Sequence, residues 1–106
     1  MVKLDEYITD TLMRDLVGHD RRPVSFLVYL WLVAEQQRRG KAVAISYSEL
    51  AESMGVSKSS AQASVGWLIQ RRLLGVTRAN VTATPSYVVQ TPWKIDYREP
   101  PLNRKR

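Results

Sequence analysis

SYSELAESMGVSKSSAQASVGWLIQRRLL, residues 46–74, is the stretch whose reading decides the fold. It reads as two helices joined by a tight turn. Ser46 and Glu49 have the spacing of a capping box: the serine hydroxyl accepts from the third helical N–H, and the glutamate reaches back to the Ser46 N–H. Ile45 ahead of the cap and Leu50 inside the helix form the matching hydrophobic staple. Leu50, Ala51 and Met54 give the first helix one apolar face. Gly55 supplies a left-handed stop. Val56 is expected as a buried turn residue, and Ser57 caps the second helix.

In the second helix Ala61, Val65, Leu68 and Ile69 fall on one face, with Ser64 small enough to sit among them. Leu73 and Leu74 close the segment. The string from Ser46 and Glu49-Leu50-Ala51 through Gly55-Val56-Ser57 to Ala61, Val65, Leu68 and Leu73-Leu74 resembles the helix-turn-helix of winged-helix DNA-binding proteins. It is similar to the reader heads of GntR-type and MarR-type bacterial regulators, over roughly the middle two-thirds of the chain. The resemblance implies an α+β, mostly helical winged helix: a three-helix core with a β-hairpin wing, here with an extra N-terminal helix. One position departs from the pattern. Those families often carry Gly before the closing Leu-Leu pair, and here Arg72 stands in that place.

Working outward, Ala42-Val43-Ala44-Ile45 is a short strand candidate. In the resembled fold it pairs with the wing. Val76-Thr77-Arg78 and Tyr87-Val88-Val89-Gln90 read as two more strands, around a loop from Ala79 to Pro85. Upstream, Pro23 suits a helix start. The run from Val24 to Ala34 is apolar almost all round, so its helix must be buried on more than one side. Arg38 and Arg39 complement its dipole and Gly40 stops it. Residues 3–17 place Leu4, Ile8, Leu12 and Leu16 at steps of four, an amphipathic helix ended by Gly18-His19-Asp20. This helix, or a second copy of the chain, must cover the remaining side of helix 23–38. A homodimer through these two helices is therefore expected. The chain divides into an N-terminal helix (1–20), a winged helix-turn-helix domain (21–92) and a basic, proline-containing tail (93–106). In that tail Trp93 and Tyr97 are expected to pin the end of the chain back, and Asn103-Arg104-Lys105-Arg106 to be disordered.

Composition narrows the function. The apolar and charged fractions, 44% and 25%, are ordinary for a globular chain of 106 residues, but the net charge of +6 is not. Residues 1–20 hold two basic groups (Lys3, Arg14) against five acidic ones (Asp5, Glu6, Asp10, Asp15, Asp20), which leaves 14 basic against 5 acidic in the rest. A basic body suits a polyanionic partner; the bland alternative is a charge that serves solubility. There is no cysteine, hence no thiolate metal site. The single histidine, His19, lies in a turn, and no phosphate loop or metalloprotease motif is present. No enzyme activity and no cofactor are expected. The acidic start lacks a signal-peptide pattern, and the longest apolar run is shorter than the about 20 residues of a membrane span. A cytoplasmic protein is the expectation.

The DNA case rests on the second helix of the motif. With Ala61, Val65 and Leu68 inward, the outward pole is Ser59, Ala63, Gly66 and Gln70, flanked by Ser60, Gln62 and Trp67. Lys58, at the first helical position, can reach a phosphate, as can spare N–H groups from Lys58 to Ser60 beside the Ser57 cap. Gly66 in mid-helix costs about 1 kcal/mol relative to Ala, so close approach of another body is one reason for it. Gln62 suits adenine; Ser59 and Ser60 suit either base edge. Arg71, Arg72 and Arg78 are backbone-contact candidates, with Asn80 and Thr82 at the wing tip. Trp67 is expected to fold onto the wing or the first helix of the motif, and Trp31 to lie in the core. The expected function is binding of double-stranded DNA by a small homodimeric transcriptional regulator. The alternatives are a phage or plasmid replication initiation protein of the same fold, or a winged-helix protein-interaction module whose small-residue stripe Ser59, Ala63 and Gly66 receives a helix.

Overall fold

The computed structural model describes residues 1–94. It is α+β and mostly helical. An N-terminal helical segment precedes three α-helices and a small antiparallel sheet: α1 (Pro23–Arg39), β1 (Val43–Ala44), α2 (Tyr47–Met54), α3 (Lys58–Gln70), β2 (Leu74–Thr77) and β3 (Ser86–Val89). The sheet order is β1-β3-β2, with Val43 opposite Tyr87 on one side of β3 and Val76 opposite Tyr87 on the other. The Tyr97 contact and the basic end expected from the sequence lie outside the described residues.

The two helices of the motif begin and end as their sequence dictates. At α2 the Ser46 hydroxyl accepts from the Glu49 N–H at 3.1 Å, and Glu49 Oε1 accepts from the Ser46 N–H at 3.1 Å, a complete capping box. Ile45 and Leu50, the staple pair, are both buried. Gly55 takes the left-handed conformation (φ 76°), and the Gly55 and Val56 N–H groups both return to the Ala51 carbonyl. Val56 is half-buried, less enclosed than expected, because it sits at the rim of the turn.

The end of α3 explains the departure at Arg72. The Leu73 N–H donates to the Leu68 carbonyl at 2.8 Å and the Arg72 N–H to the Ile69 carbonyl at 3.0 Å, a Schellman closure. That closure requires a left-handed residue at its bend, and Arg72 adopts it at φ 62°. The buried pair Leu68 and Leu73 seals the bend and holds the arginine in a conformation that glycine adopts without steric cost. Ile69, expected on the inner face, is 37% exposed: the buried residues of α3 are Ala61, Ser64, Val65 and Leu68, and Ile69 lies at the edge of their stripe.

α1 is covered on three sides by its own chain, while Leu27 stays 48% exposed. α3 packs on one side, β3 on another, and the N-terminal segment on a third. Tyr29, fully buried, donates its hydroxyl to the Gln90 carbonyl at 2.9 Å, and Gln36 Oε1 accepts from the Val89 N–H at 2.7 Å, which ties α1 to β3. The N-terminal segment winds more widely than the expected α-helix. Its two stretches, Ile8–Leu12 and Arg14–His19, are π-helical, which keeps Ile8, Leu12 and Leu16 together against α1, all three buried. Leu4, outside the helix, is 44% exposed. Lys3 and Gln37 exchange backbone and side-chain hydrogen bonds, and Tyr7 stacks on Trp93 at 4.6 Å. One hydrophobic core therefore joins the N-terminal segment to the rest, so that segment supplies part of the cover expected for α1. Trp31, expected in the core, is half-buried and packs at the core's margin.

Replacing Arg72 by glycine removes the steric cost of a left-handed side-chain-bearing residue, about 1 kcal/mol. The expected result is a melting temperature raised by roughly 4–8 °C in thermal unfolding. Gly55→Ala, at the equivalent bend of α2, is expected to lower it.

Candidate functional site

α3 presents its outward pole to open space. Ser59, Ala63, Gly66 and Gln70 are exposed, as is Gln62 beside them. A methyl group built on Gly66 would meet no other atom within 4 Å. The chain itself therefore makes no close approach there that would offset the helix cost of glycine.

At its N-terminus α3 is capped by Ser57, whose hydroxyl accepts from the Ser60 N–H at 3.1 Å and donates to the Ser60 hydroxyl at 2.9 Å. Ser57 is thus committed to the cap. The Ser60 N–H, expected to be spare, is consumed by it, and Lys58 and Ser59 carry the remaining outward N–H groups. No acidic residue lies in the first turn to neutralise that end.

Beside this end lies a cleft of about 230 Å³ formed by three separate pieces of chain. α3 contributes Lys58, the start of α2 contributes Ser46 to Ser48, and the β2–β3 loop contributes Arg78 and Thr82 to Pro85. Neither Lys58 nor Arg78 has a carboxylate partner among the described residues. Arg78 directs one guanidinium nitrogen back at the Val81 and Ala83 carbonyls (3.3 and 3.5 Å), so it also braces its own loop. Asn80 holds the tip: its side-chain oxygen accepts from both the N–H and the hydroxyl of Thr82, at 3.0 and 2.9 Å. The Asn80 amide nitrogen has no partner recorded among the described residues and keeps its donors for another group. Below the cleft, burial together with the neighbouring Tyr47 hydroxyl pushes the Tyr87 phenol well up, against the smaller effect of Arg78, so it stays neutral.

The other flank of α3 is organised differently. Trp67 does not fold onto the hairpin or onto α2. Its indole N–H donates to Asp20 Oδ2 at 2.9 Å, and the Arg22 guanidinium lies 4.2 Å over its ring. Arg71, expected to be available to a partner, forms an ion pair with the same Asp20 oxygen, its Nε 3.0 Å away. His19 Nδ1 bonds the other oxygen at 2.8 Å. Asp20, its side chain only 4% exposed, is the hub. Burial alone would raise its pKa. The hydrogen bonds from His19 and Trp67 and the charges of Arg71 and His19 outweigh this and hold the carboxyl below its ordinary 3.8. Sequence reasoning missed this hub, because Asp20 and Trp67 are 47 residues apart and no local pattern joins them. The structure thus brings Lys58, Arg78, Thr82 and, through Thr82, Asn80 to one side of α3. Arg71 lies on the other side, and Arg72 is exposed at the bend between α3 and β2. No group of three or more metal-ligating side chains occurs among the described residues, and no helix there is long and apolar enough to cross a membrane.

A carboxylate with a depressed pKa stabilises the fold above its unfolded value and loses that contribution as pH falls through the lower, folded one. Asp20→Asn is therefore expected to cost roughly 1–3 kcal/mol at neutral pH. The difference from the parent chain should shrink as pH falls below 3.8, the ordinary value. Urea unfolding against pH measures the first, and the Trp67 indole N–H resonance should move with the same titration. Searches against protein-family models, curated proteins and solved structures found no match to this chain.

Proposed function

We propose that the chain is a winged-helix protein that binds double-stranded DNA, with α3 entering the major groove and the β2–β3 hairpin serving as the wing. The observation that carries this reading is the convergence of Lys58 and Arg78, from two separate elements and without carboxylate partners, on one cleft beside the N-terminus of α3. Unpaired cations on a rigid scaffold suit phosphates, whose neutralisation releases counterions and drives association. The α3 face between the flanks is small and polar, which suits a helix seated deep in a groove. Gln62, Ser59 and Ser60 are its base-edge candidates, and Ala63 and Gly66 permit the approach. Discrimination by such a face is modest for one copy, so the proposal includes a homodimer reading two half-sites, as a transcriptional regulator or a replication initiation protein would. Met13 and Val17 on the N-terminal segment and Leu27 on α1 are the exposed apolar side chains on the elements named for that contact.

A protein-interaction module has less support. Trp67, the aromatic such a surface would use, is half-buried and held by Asp20 and Arg22.

Fluorescence anisotropy with a random-sequence duplex, repeated across salt concentrations, tests the reading. Affinity is expected to fall steeply with salt. Lys58→Ala and Arg78→Ala should each weaken binding and reduce the log–log salt slope by about 0.9 for each phosphate that is no longer neutralised. No binding at low salt would sink the proposal. Because Arg78 also braces its loop, the Lys58 variant is the cleaner of the two.

A further inference from the structure

A second cleft, of about 320 Å³, lies on the opposite flank of α3, at the N-terminus of α1. Arg21, Arg22, Val24 and Ser25 line it from one side, Ser60 and Ser64 from the other. Its chemistry is that of an anion site. α1 is 17 residues long, begins without a side-chain cap and has no acidic residue in its first turn. Pro23 has no N–H. The Ser25 and Phe26 N–H groups turn back to the Arg22 carbonyl, at 3.1 and 3.3 Å, and the Val24 N–H has no acceptor among the described residues. The positive end of the helix dipole therefore faces the cleft, with no acidic residue in its own first turn.

The second observation concerns two serines. Ser25 is 1% exposed and Ser64 4%, both line the cleft, and neither hydroxyl has a hydrogen-bond partner among the described residues. Neither oxygen is among the fully enclosed unpartnered atoms, so each opens onto the cleft from an otherwise buried residue and is free to donate to a ligand rich in acceptors. The cations fit the same ligand. The Arg22 guanidinium is held 4.2 Å over the Trp67 ring, and it has no carboxylate partner among the described residues. Arg21 has no carboxylate partner among the described residues and holds a left-handed backbone at φ 57°. Asp20 also lines the cleft, but its two oxygens are engaged by Trp67, Arg71 and His19.

We propose that this cleft binds a phosphate group, carried by the backbone of a duplex or by free phosphate. Three donors in a tetrahedral arrangement are needed, and the cleft offers the Val24 N–H, the two serine hydroxyls and two guanidinium edges. Only the duplex source rests on the DNA-binding reading above; in that case the cleft holds a backbone phosphate on the flank of α3 away from Lys58 and Arg78.

The test is an amide-resolved NMR titration of the full chain. Inorganic phosphate is compared with chloride at equal ionic strength, and then a short random-sequence duplex is added. The variants are Arg21→Gly and Ser64→Ala. Glycine suits the left-handed backbone at position 21, so that variant keeps the fold while losing the guanidinium. Saturable shifts at Val24 and Ser25, weakened about tenfold in Arg21→Gly, are expected from one probe or both. Shifts with phosphate and no duplex binding would support the site and remove the DNA reading. Shifts with the duplex alone would assign the ligand to a nucleic-acid backbone. Duplex binding that moves only α3 and the hairpin, with no response to phosphate, would overturn the site and leave the DNA reading intact. A response matched by chloride, or none to either probe, would also overturn it.

Discussion

A helix that is apolar around most of its circumference has to be wrapped, and every other element of this chain is placed by the wrapping of α1. α3 takes one side, β3 a second and the N-terminal segment a third. The polar edges of the wrap are specific: Tyr29 donates to the Gln90 carbonyl and Gln36 accepts from the Val89 N–H, so β3 is held at a fixed height along α1. Hydrophobic burial supplies the driving force without direction, and these buried hydrogen bonds supply the direction. Because β1 and β2 both pair with β3, the hairpin inherits its position from the same contacts. The cleft that joins Lys58 to Arg78 is a distant consequence of how α1 is covered.

The flanks of α3 differ in the way their charges are held. On the hairpin side the cations are unpaired among the described residues and the loop is stiffened by its own hydrogen bonds, Asn80 to Thr82 and Arg78 to two carbonyls. On the other side one buried carboxylate, Asp20, collects an indole, a guanidinium and an imidazole. That arrangement fixes α3 against the entry to α1 and orients Arg22 through the ring of Trp67. A buried carboxylate of this kind is costly unless its partners are in place, and here they are. The acidic character of residues 1–20 thus has one structural use at its last member, where a negative charge anchors a basic flank.

Two arginines in left-handed backbone, Arg21 and Arg72, sit at the two bends that frame this hub. At Arg72 the strain has a visible cause in the Schellman closure sealed by Leu68 and Leu73. At Arg21 it accompanies the turn from the wide N-terminal helix into α1, where the Arg22 N–H reaches the Leu16 carbonyl at 2.8 Å. Neither position is visible as strained from residue type, since arginine gives no local signal for positive φ.

Interactions between near neighbours were legible in the sequence. The capping box of Ser46 and Glu49, the Gly55 stop, the Ser57 cap and the buried face of Ala61, Val65 and Leu68 all depend on offsets of three to five residues. The three strand regions were legible too, but β2 starts two residues earlier, at Leu74, and ends before Arg78, and β3 is Ser86–Val89 without Gln90, because strand pairing and not residue type sets where each ends. The need to cover α1 was also legible. The outward pole of α3 was legible for the same reason, since the inner face fixes the outer one. Tertiary structure alone decided what meets across long separations. It placed Trp67 on Asp20, committed Arg71 to an ion pair and brought Arg78 to Lys58. It also decided which parts of the chain cover three sides of α1 and opened a cleft between Ser25 and Ser64. The physical reason is that helix caps and periodicity are set by backbone geometry within a turn or two. Which charged side chain finds a partner depends instead on the packing of whole elements, and a linear pattern does not encode that distance.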